Sequence, residues 1–331
     1  MNYLGKNIRI LYLFIFVVLA SNCSSNKDYS NNYEINRFDR DLYNYLINPE
    51  AYPDFTTDYE TFLKEYGENV LRIGDPNSDK FISNLRACFS DSSLMSIYKD
   101  ELVKFENIDS INKELSIGLT KLFELFPNFK QPKVYMHISG LRHNVIVTDD
   151  ILSISADKYM GADYPFYQNY FPAYQRQLMS PDRIVPDYLL GFLMANLPIT
   201  IDNNDVLLDN MIYEGKLRYI LSVLLPERNT WEYVAYDEEQ YNWCMSNESE
   251  IWKSILENQH LYTTNYKITQ QYLKTAPYTL PLHSESPGRV GVWVGFRIVE
   301  AYMKHNPKIS MIDFVRNEDY KEILKQSKYK P

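Results

Sequence analysis

Apolar residues recur at three- and four-residue spacing through the first third of the chain. Phe38, Leu42, Tyr45 and Leu46 share one face, Phe62, Tyr66 and Val70 a second, and Ile111, Leu115, Leu119, Leu122 and Phe126 a third. This period marks amphipathic helices. Residues 35–126 therefore read as helical, with Asp109 or Ser110 as N-cap of the third stretch and Pro127 at its end. The character then changes. Residues 133–138 (KVYMHI), 143–147 (HNVIV) and 151–154 (ILSI) are short β-type runs split by turn residues, which predicts a small meander of about three strands. After Asp157 the helical signals return. Pro186 suits a first turn, and residues 188–197 are nearly continuously apolar. Asn204 or Asp205 is expected to cap a helix that runs to Leu225 and stops at Pro226. Asp237 and Gln240 form a capping-box pattern opening a helix through Trp243, Ile251 and Leu256. Gly291 to Met303 predicts another, closed by Asn306 and Pro307. No internal repeat or long linker interrupts the pattern. The expectation is one mainly α (α+β) domain, helices around a small three-stranded sheet.

The first residues change that picture only by leaving it. Lys6 and Arg9 precede an apolar run from Ile10 to Ala20. That run is shorter than the ~20 residues a membrane-spanning helix needs. Cys23 follows directly, with Leu19 and Ala20 upstream, an arrangement similar to the lipobox of bacterial lipoproteins; Ala20 and Asn22 depart from its commonest residues. A plain secretory signal and an uncleaved anchor are the alternatives. The layout expected is a signal peptide over residues 1–22, a flexible tether over 23–33 starting at a lipidated Cys23, and a globular domain over 34–331. Two or more acyl chains hold a protein firmly on a membrane where one does not. The tether (SSNKDYSNNY) has no acidic run, which favours a periplasm-facing position in the cell envelope.

Composition narrows the function. Hydrophobic residues make up 45% of the chain, enough for a real core. A net charge of −9 without a basic stripe argues against nucleic acid as a partner. Cys88 and Cys244 lack metal-ligand spacing; they either form one disulfide or stay apart as buried thiols.

Candidate chemistry is sparse. His137 and His143, six apart across a Ser139-Gly140 turn, do not share a strand face, and His260, His283 and His305 are scattered. The chain contains no H-E-x-x-H, no G-x-S-x-G and no phosphate-cradling glycine loop. No metal and no cofactor is expected. Two segments stand out. Residues 211–217 (MIYEGKL) set Glu214, Gly215 and Lys216 beside Tyr213 in an otherwise apolar helix. Gly215 costs roughly 1 kcal/mol of helix stability relative to Ala, which suggests close approach of another backbone. Glu214 could be neutralised by Lys216 or Arg218, or could meet Arg289. Residues 284–293 (SESPGRVGVW) offer Ser286 as N-cap, Pro287 in the first turn, and Gly288 and Gly291 flanking Arg289. Such a helix start would bind an anion, or Arg289 would pair internally with Glu214 or Glu300.

The run MIYEGKLRYILSVLLP, the W-C-x-x-N-E core (Trp243, Cys244, Asn247, Glu248), SPGRVGVWVGFRIVEAYM and the closing SKYKP together resemble the gliding-motility lipoprotein GldB family of Bacteroidota. FDRDLY at Phe38 and ILSISADKYMGADYPFY at Ile151 extend the similarity over nearly the whole mature chain. The resemblance implies a membrane-anchored component needed for gliding where gliding depends on type IX secretion, with other envelope or motility proteins as partners. The element order also looks like a zincin peptidase, with Glu214 at the place of the glutamate ligand. Asp187 to Gly191 (DYLLG) takes the place of H-E-x-x-H and holds no histidine. A catalytic zinc needs three protein ligands, so this likeness implies lost metal chemistry and a non-catalytic binding protein. A hydrolase with an unrecognised site and a carrier for a peptide, glycan or lipid are the rival readings.

Overall fold

The computed structural model describes residues 33–142, 144–197 and 206–331. The expected signal peptide, Cys23, most of the tether, His143 and the cap candidates Asn204 and Asp205 lie outside the described residues.

Three strands, β1 (Lys133–His137), β2 (Val145–Val147) and β3 (Ile151–Ser155), form one sheet in the order β1-β3-β2. The sheet is not a meander. β2 and β3 form an antiparallel hairpin, but β1 lies on the far side of β3 and runs parallel to it, from Lys133 opposite Ile151 to His137 opposite Ser155. The connection after β1 explains the difference. Gly140 and Leu141 both take positive φ, 67° and 64°. The buried Asp157 carboxylate accepts from the backbone N–H groups of Ser139 (3.1 Å) and Leu141 (2.7 Å) and from the Ser155 hydroxyl. The pinned loop carries the chain past β3 before β2 begins.

Alternation along the strands then sorts side chains into two cores. Tyr135, Ile138 and Ile151 face an N-terminal layer built from α1 (Phe38–Ile47), α2 (Glu60–Glu65), α3 (Phe81–Cys88) and α4 (Ser92–Lys104). Val134, Met136, Leu152 and Ile154 face a larger layer formed by α5 (Asp109–Leu125) and the helices after the sheet. α2 widens into a π-helical turn over Tyr66–Leu71, which closes at Arg72 in the left-handed region (φ 58°).

In the second layer α6 (Ile184–Asn196), α7 (Leu207–Leu224) and α11 (Val290–His305) carry the architecture. α7 and α11 make the most extensive helix contact among the described residues. Glycines allow it: a Cβ on Gly215 would lie 2.2 Å from the Gly295 carbonyl oxygen, and one on Gly295 would lie 1.7 Å from the Met211 carbonyl oxygen. The helix cost of Gly215 is thus offset by backbone-to-backbone packing. Between these helices run α8 (Glu238–Ser246), α9 (Glu248–Glu257) and α10 (Tyr266–Leu273). The capping box forms, with the Gln240 N–H donating to Asp237 (2.8 Å) and the Asp237 N–H to Gln240 (3.2 Å). The expected single helix through Leu256 breaks at Asn247 into α8 and α9.

Two expected caps are replaced. α5 starts at Asp109 itself, whose N–H donates to the Asn107 side chain (2.8 Å). Ser286 does not cap α11. Its hydroxyl accepts from the Thr279 N–H (3.2 Å), and Arg289 holds the N-cap position in the left-handed region, φ 63°. The cap comes from the preceding loop: Thr279 Oγ1 accepts from the Val290 N–H (3.1 Å) and donates to the Pro287 carbonyl (2.8 Å). A Cβ on Gly288 would lie 2.2 Å from the Ala276 carbonyl oxygen, so the Ser286-Pro287-Gly288 turn presses onto the Thr279 loop. A short C-terminal pair, α12 (Met311–Arg316) and α13 (Tyr320–Ser327), closes the domain.

Candidate functional site

A solvent-open cleft of about 360 Å³ lies where α6 faces Arg218 of α7 and Arg289 before α11. Asp187 and Gly191, the two ends of the segment expected in the zincin-like helix position, line it. Gly191 is needed there because a Cβ would meet the Val145 side chain of β2 at 2.7 Å.

Three arginines converge on this space, each held differently. Arg183, just before α6, donates to the Asp187 carboxylate (2.7 Å) and the Glu232 carbonyl (2.7 Å). The other Asp187 oxygen accepts from the Tyr159 hydroxyl (2.9 Å), so Arg183 and Asp187 are a settled pair. Arg218, 6% exposed, meets Glu214 at 2.9 Å as an i,i+4 ion pair. The contact is close but poorly aligned for a hydrogen bond, and Arg218 Nε and Nη1 are buried without a hydrogen-bond partner among the described residues. Arg289 makes one long bond, 3.4 Å from Nη1 to the Val234 carbonyl. Burial and the neighbouring Arg218 charge push its pKa down to about 10, against the opposing pull of Glu214. The cleft lining thus gathers three guanidiniums against Asp187, and with Glu214, which pairs with Arg218 from beyond the lining, three minus two leaves one positive charge over.

Glu214 and Arg289 therefore share a neighbourhood, but the ion pair Glu214 makes is with Arg218. Glu300 pairs with Arg297 (2.9 Å), not with Arg289. The other singled-out residues serve packing. Lys216 turns away from the cleft, 4% exposed, and donates to the carbonyls of Val315 (3.2 Å) and Asn317, closing the C-terminus of α12. Its ammonium lies over the rings of Phe314 (5.4 Å) and Tyr320 (5.1 Å), and burial pushes its pKa down to about 8. The Tyr213 hydroxyl donates to the Leu197 carbonyl (3.0 Å). Ser286, Pro287 and Gly288 build the turn that aims Arg289, and Gly291 admits Tyr272, which a Cβ would approach to 3.0 Å. Sequence reasoning missed Arg183 and weighed Arg218 only as a surface counter-charge. The signal was present: Arg218 continues the buried stripe of Met211 and Gly215 at helical spacing.

Nucleophile chemistry finds no support in the thiols. Cys88 and Cys244 are both free, and burial pushes both thiols up, away from the reactive thiolate. His137 lies in the other core between Phe62 and Tyr66. Its Nδ1 faces Ser153 Oγ at 2.7 Å, and because that hydroxyl donates to the Tyr135 carbonyl (3.1 Å), the imidazole is the donor. Among the described residues no three His, Cys, Asp or Glu side chains gather as a metal site, and no helix is long and apolar enough to cross a membrane.

Fold and cleft together define a helix-rich domain with a three-stranded sheet between two cores and a cationic pocket on its larger side. A family model described as gliding motility protein GldB matches residues 22–331, and the chain belongs to that family. Membership makes it a gliding-motility-associated protein of the cell envelope. No curated protein and no solved structure matches the chain.

Proposed function

We propose that this protein is a lipid-anchored, non-catalytic lipoprotein of the gliding-motility machinery that faces the periplasm and works by binding, with the arginine cleft as its recognition surface. The family match over residues 22–331 carries the reading, because that range takes in Cys23 together with the whole domain. Multiple acyl chains on Cys23 would hold the domain at a membrane. The non-catalytic assignment draws support from the cleft. Its charged groups are guanidiniums and their carboxylate counter-ions, and its lining holds Asp187 and Gly191, the residues that the zincin-like reading of the sequence sets where imidazoles would stand. Asp187 is committed to Arg183 and Tyr159. This fits a peptidase-like layout turned to binding in association with type IX secretion.

Fractionation of cells carrying Cys23→Ala tests the anchor. The protein should move from membranes to the soluble envelope fraction, and spreading of a gliding strain should fail. A Cys23→Ala protein that stays on membranes, with mass spectrometry locating an unmodified mature N-terminus elsewhere, would sink the reading.

A further inference from the structure

We infer that the cleft between α6, α7 and α11 binds a single carboxylate carried on a small aliphatic group, with Arg218 and Arg289 as its ligands. The inference rests on the cleft being a recognition surface and specifies what that surface recognises.

Charge balance is the first ground. A buried cation such as Arg218 persists only with counter-charge, and the three arginines at the cleft outnumber Asp187 and the adjoining Glu214 by one. One carboxylate closes that balance, whereas a phosphate dianion would overshoot it. The unused donors are the second ground. Arg218 Nε and Nη1 are buried and unpartnered among the described residues, although Arg218 is 94% buried by its 6% exposure. A fixed, desolvated donor of this kind costs free energy until an acceptor arrives. Thirdly, Arg289 sits at φ 63°, a conformation that costs a non-glycine residue strain. Gly288 and Gly291 flank it, yet the strained position itself keeps the long cation and aims it at the cleft. Strain retained at a cavity wall points to use rather than packing. The remaining wall defines the rest of the ligand. Val145, Leu178, Leu190, Met194 and Ala235 make most of it apolar, with Asn144 and Thr275 as its uncharged polar members, and Met194 is 48% exposed at the rim. No aromatic side chain lines the cleft among the described residues, so a base or a sugar ring finds no stacking platform. Such a carboxylate occurs either on a free small acid or at the C-terminal end of a peptide.

Calorimetric titration of the protein purified in detergent separates these cases. The probes are isobutyrate, isobutyramide, acetyl-Ala-Ala-Val with a free C-terminus, the same peptide as its amide, and inorganic phosphate. At least one carboxylate probe should bind one per chain, and its amide at least about tenfold more weakly, as expected for a charge-assisted hydrogen bond. Stronger binding of the peptide acid identifies a chain end as the source; stronger binding of isobutyrate identifies a free acid. Arg289→Met should abolish the preference for acid over amide. Arg289→Gly, in which the residue suits its backbone, serves as a second folded variant with the same expected loss. The inference fails if neither carboxylate binds, if phosphate binds more tightly than both, or if the Arg289 variants bind unchanged. Failure here leaves the Cys23→Ala fractionation result standing, and loss of the anchor leaves this titration unchanged.

Discussion

The two cores on either side of the sheet bury charge in opposite ways. In the N-terminal layer Arg37, Asp39 and Glu101 are almost wholly enclosed. Arg37 donates twice to Asp39 through Nε (3.0 Å to each oxygen) and once through Nη2 (2.6 Å), and its Nη1 reaches the Phe105 carbonyl. Burial and the Asp39 charge hold the Glu101 carboxyl well above the usual range, which favours its protonated form. Rings of Phe38, Phe55, Tyr59, Phe62 and Tyr66 pack around α1, and Arg37 and Tyr59 also line a polar surface pocket of about 430 Å³. In the second layer the arginines at the cleft keep unused donors and an open side. The Arg37–Asp39 pair closes on itself, with both Glu101 oxygens beside it buried and without a hydrogen-bond partner among the described residues, while the arginines at the cleft remain incomplete. Burial alone therefore does not separate a structural charge from one awaiting a ligand. Satisfied hydrogen bonds mark the first; unsatisfied charged donors at a cavity wall mark the second.

The sharpest way to break this comparison is to remove one cation from each side. Arg37→Met should lower stability by about 3–5 kcal/mol, because it strands the Asp39 carboxylate in the core. Urea titration at neutral pH should show the shift, and at acid pH, where Asp39 can take a proton, the deficit should shrink. A loss under about 1 kcal/mol would mean that Asp39 is already neutral in the fold.

Glu101 supplies a subtler effect with a definite sign. Its folded pKa lies above its unfolded value of 4.5, so its protonated form stabilises the fold below that pH. That contribution is lost as pH rises towards the folded value, at up to about 1.4 kcal/mol per pH unit. Glu101→Gln keeps the shape without the ionisation. Its melting temperature should match the parent near pH 4 and exceed it at pH 8. Parallel pH profiles for the two proteins would place the ionised carboxylate in a better-solvated site than the structure shows.

Arg289→Gly should have the smallest effect, and in the opposite direction from Arg37→Met. Relief of the left-handed conformation contributes about 1–2 kcal/mol, and the added freedom of glycine in the unfolded chain removes about 0.5–1 kcal/mol. The melting temperature should stay level or rise slightly. A clear fall would make Arg289 a structural cation like Arg37 and erase the difference between the two cores.

Much of this was legible in local sequence, for a local reason. Helical periodicity locates α1, α5 and α7 because side chains three and four apart share a face whatever lies opposite. The Asp237–Gln240 cap forms because its partners are three residues apart. Gly215 announces a close backbone approach through its own helix cost, although the partner, Gly295, had to be found in space. The family signature is likewise written in contiguous segments such as MIYEGKLRYILSVLLP and SPGRVGVW.

What tertiary structure alone decided depends on residues far apart in the chain. The parallel pairing of β1 with β3 follows from a loop pinned by Asp157, whose role no strand pattern records. Thr279 replaces Ser286 as the acceptor at the start of α11 because the segment before the helix folds back on itself, which no helix-capping pattern records. Arg183, Arg218 and Arg289 come from three separate segments, and nothing in any one segment says that they converge. A periodic face can be read from one element because its geometry is set by local backbone dihedrals. A shortage of negative charge belongs to the space between elements, and it exists only after the packing of α6, α7 and α11 has excluded water from some donors and left others facing the cleft.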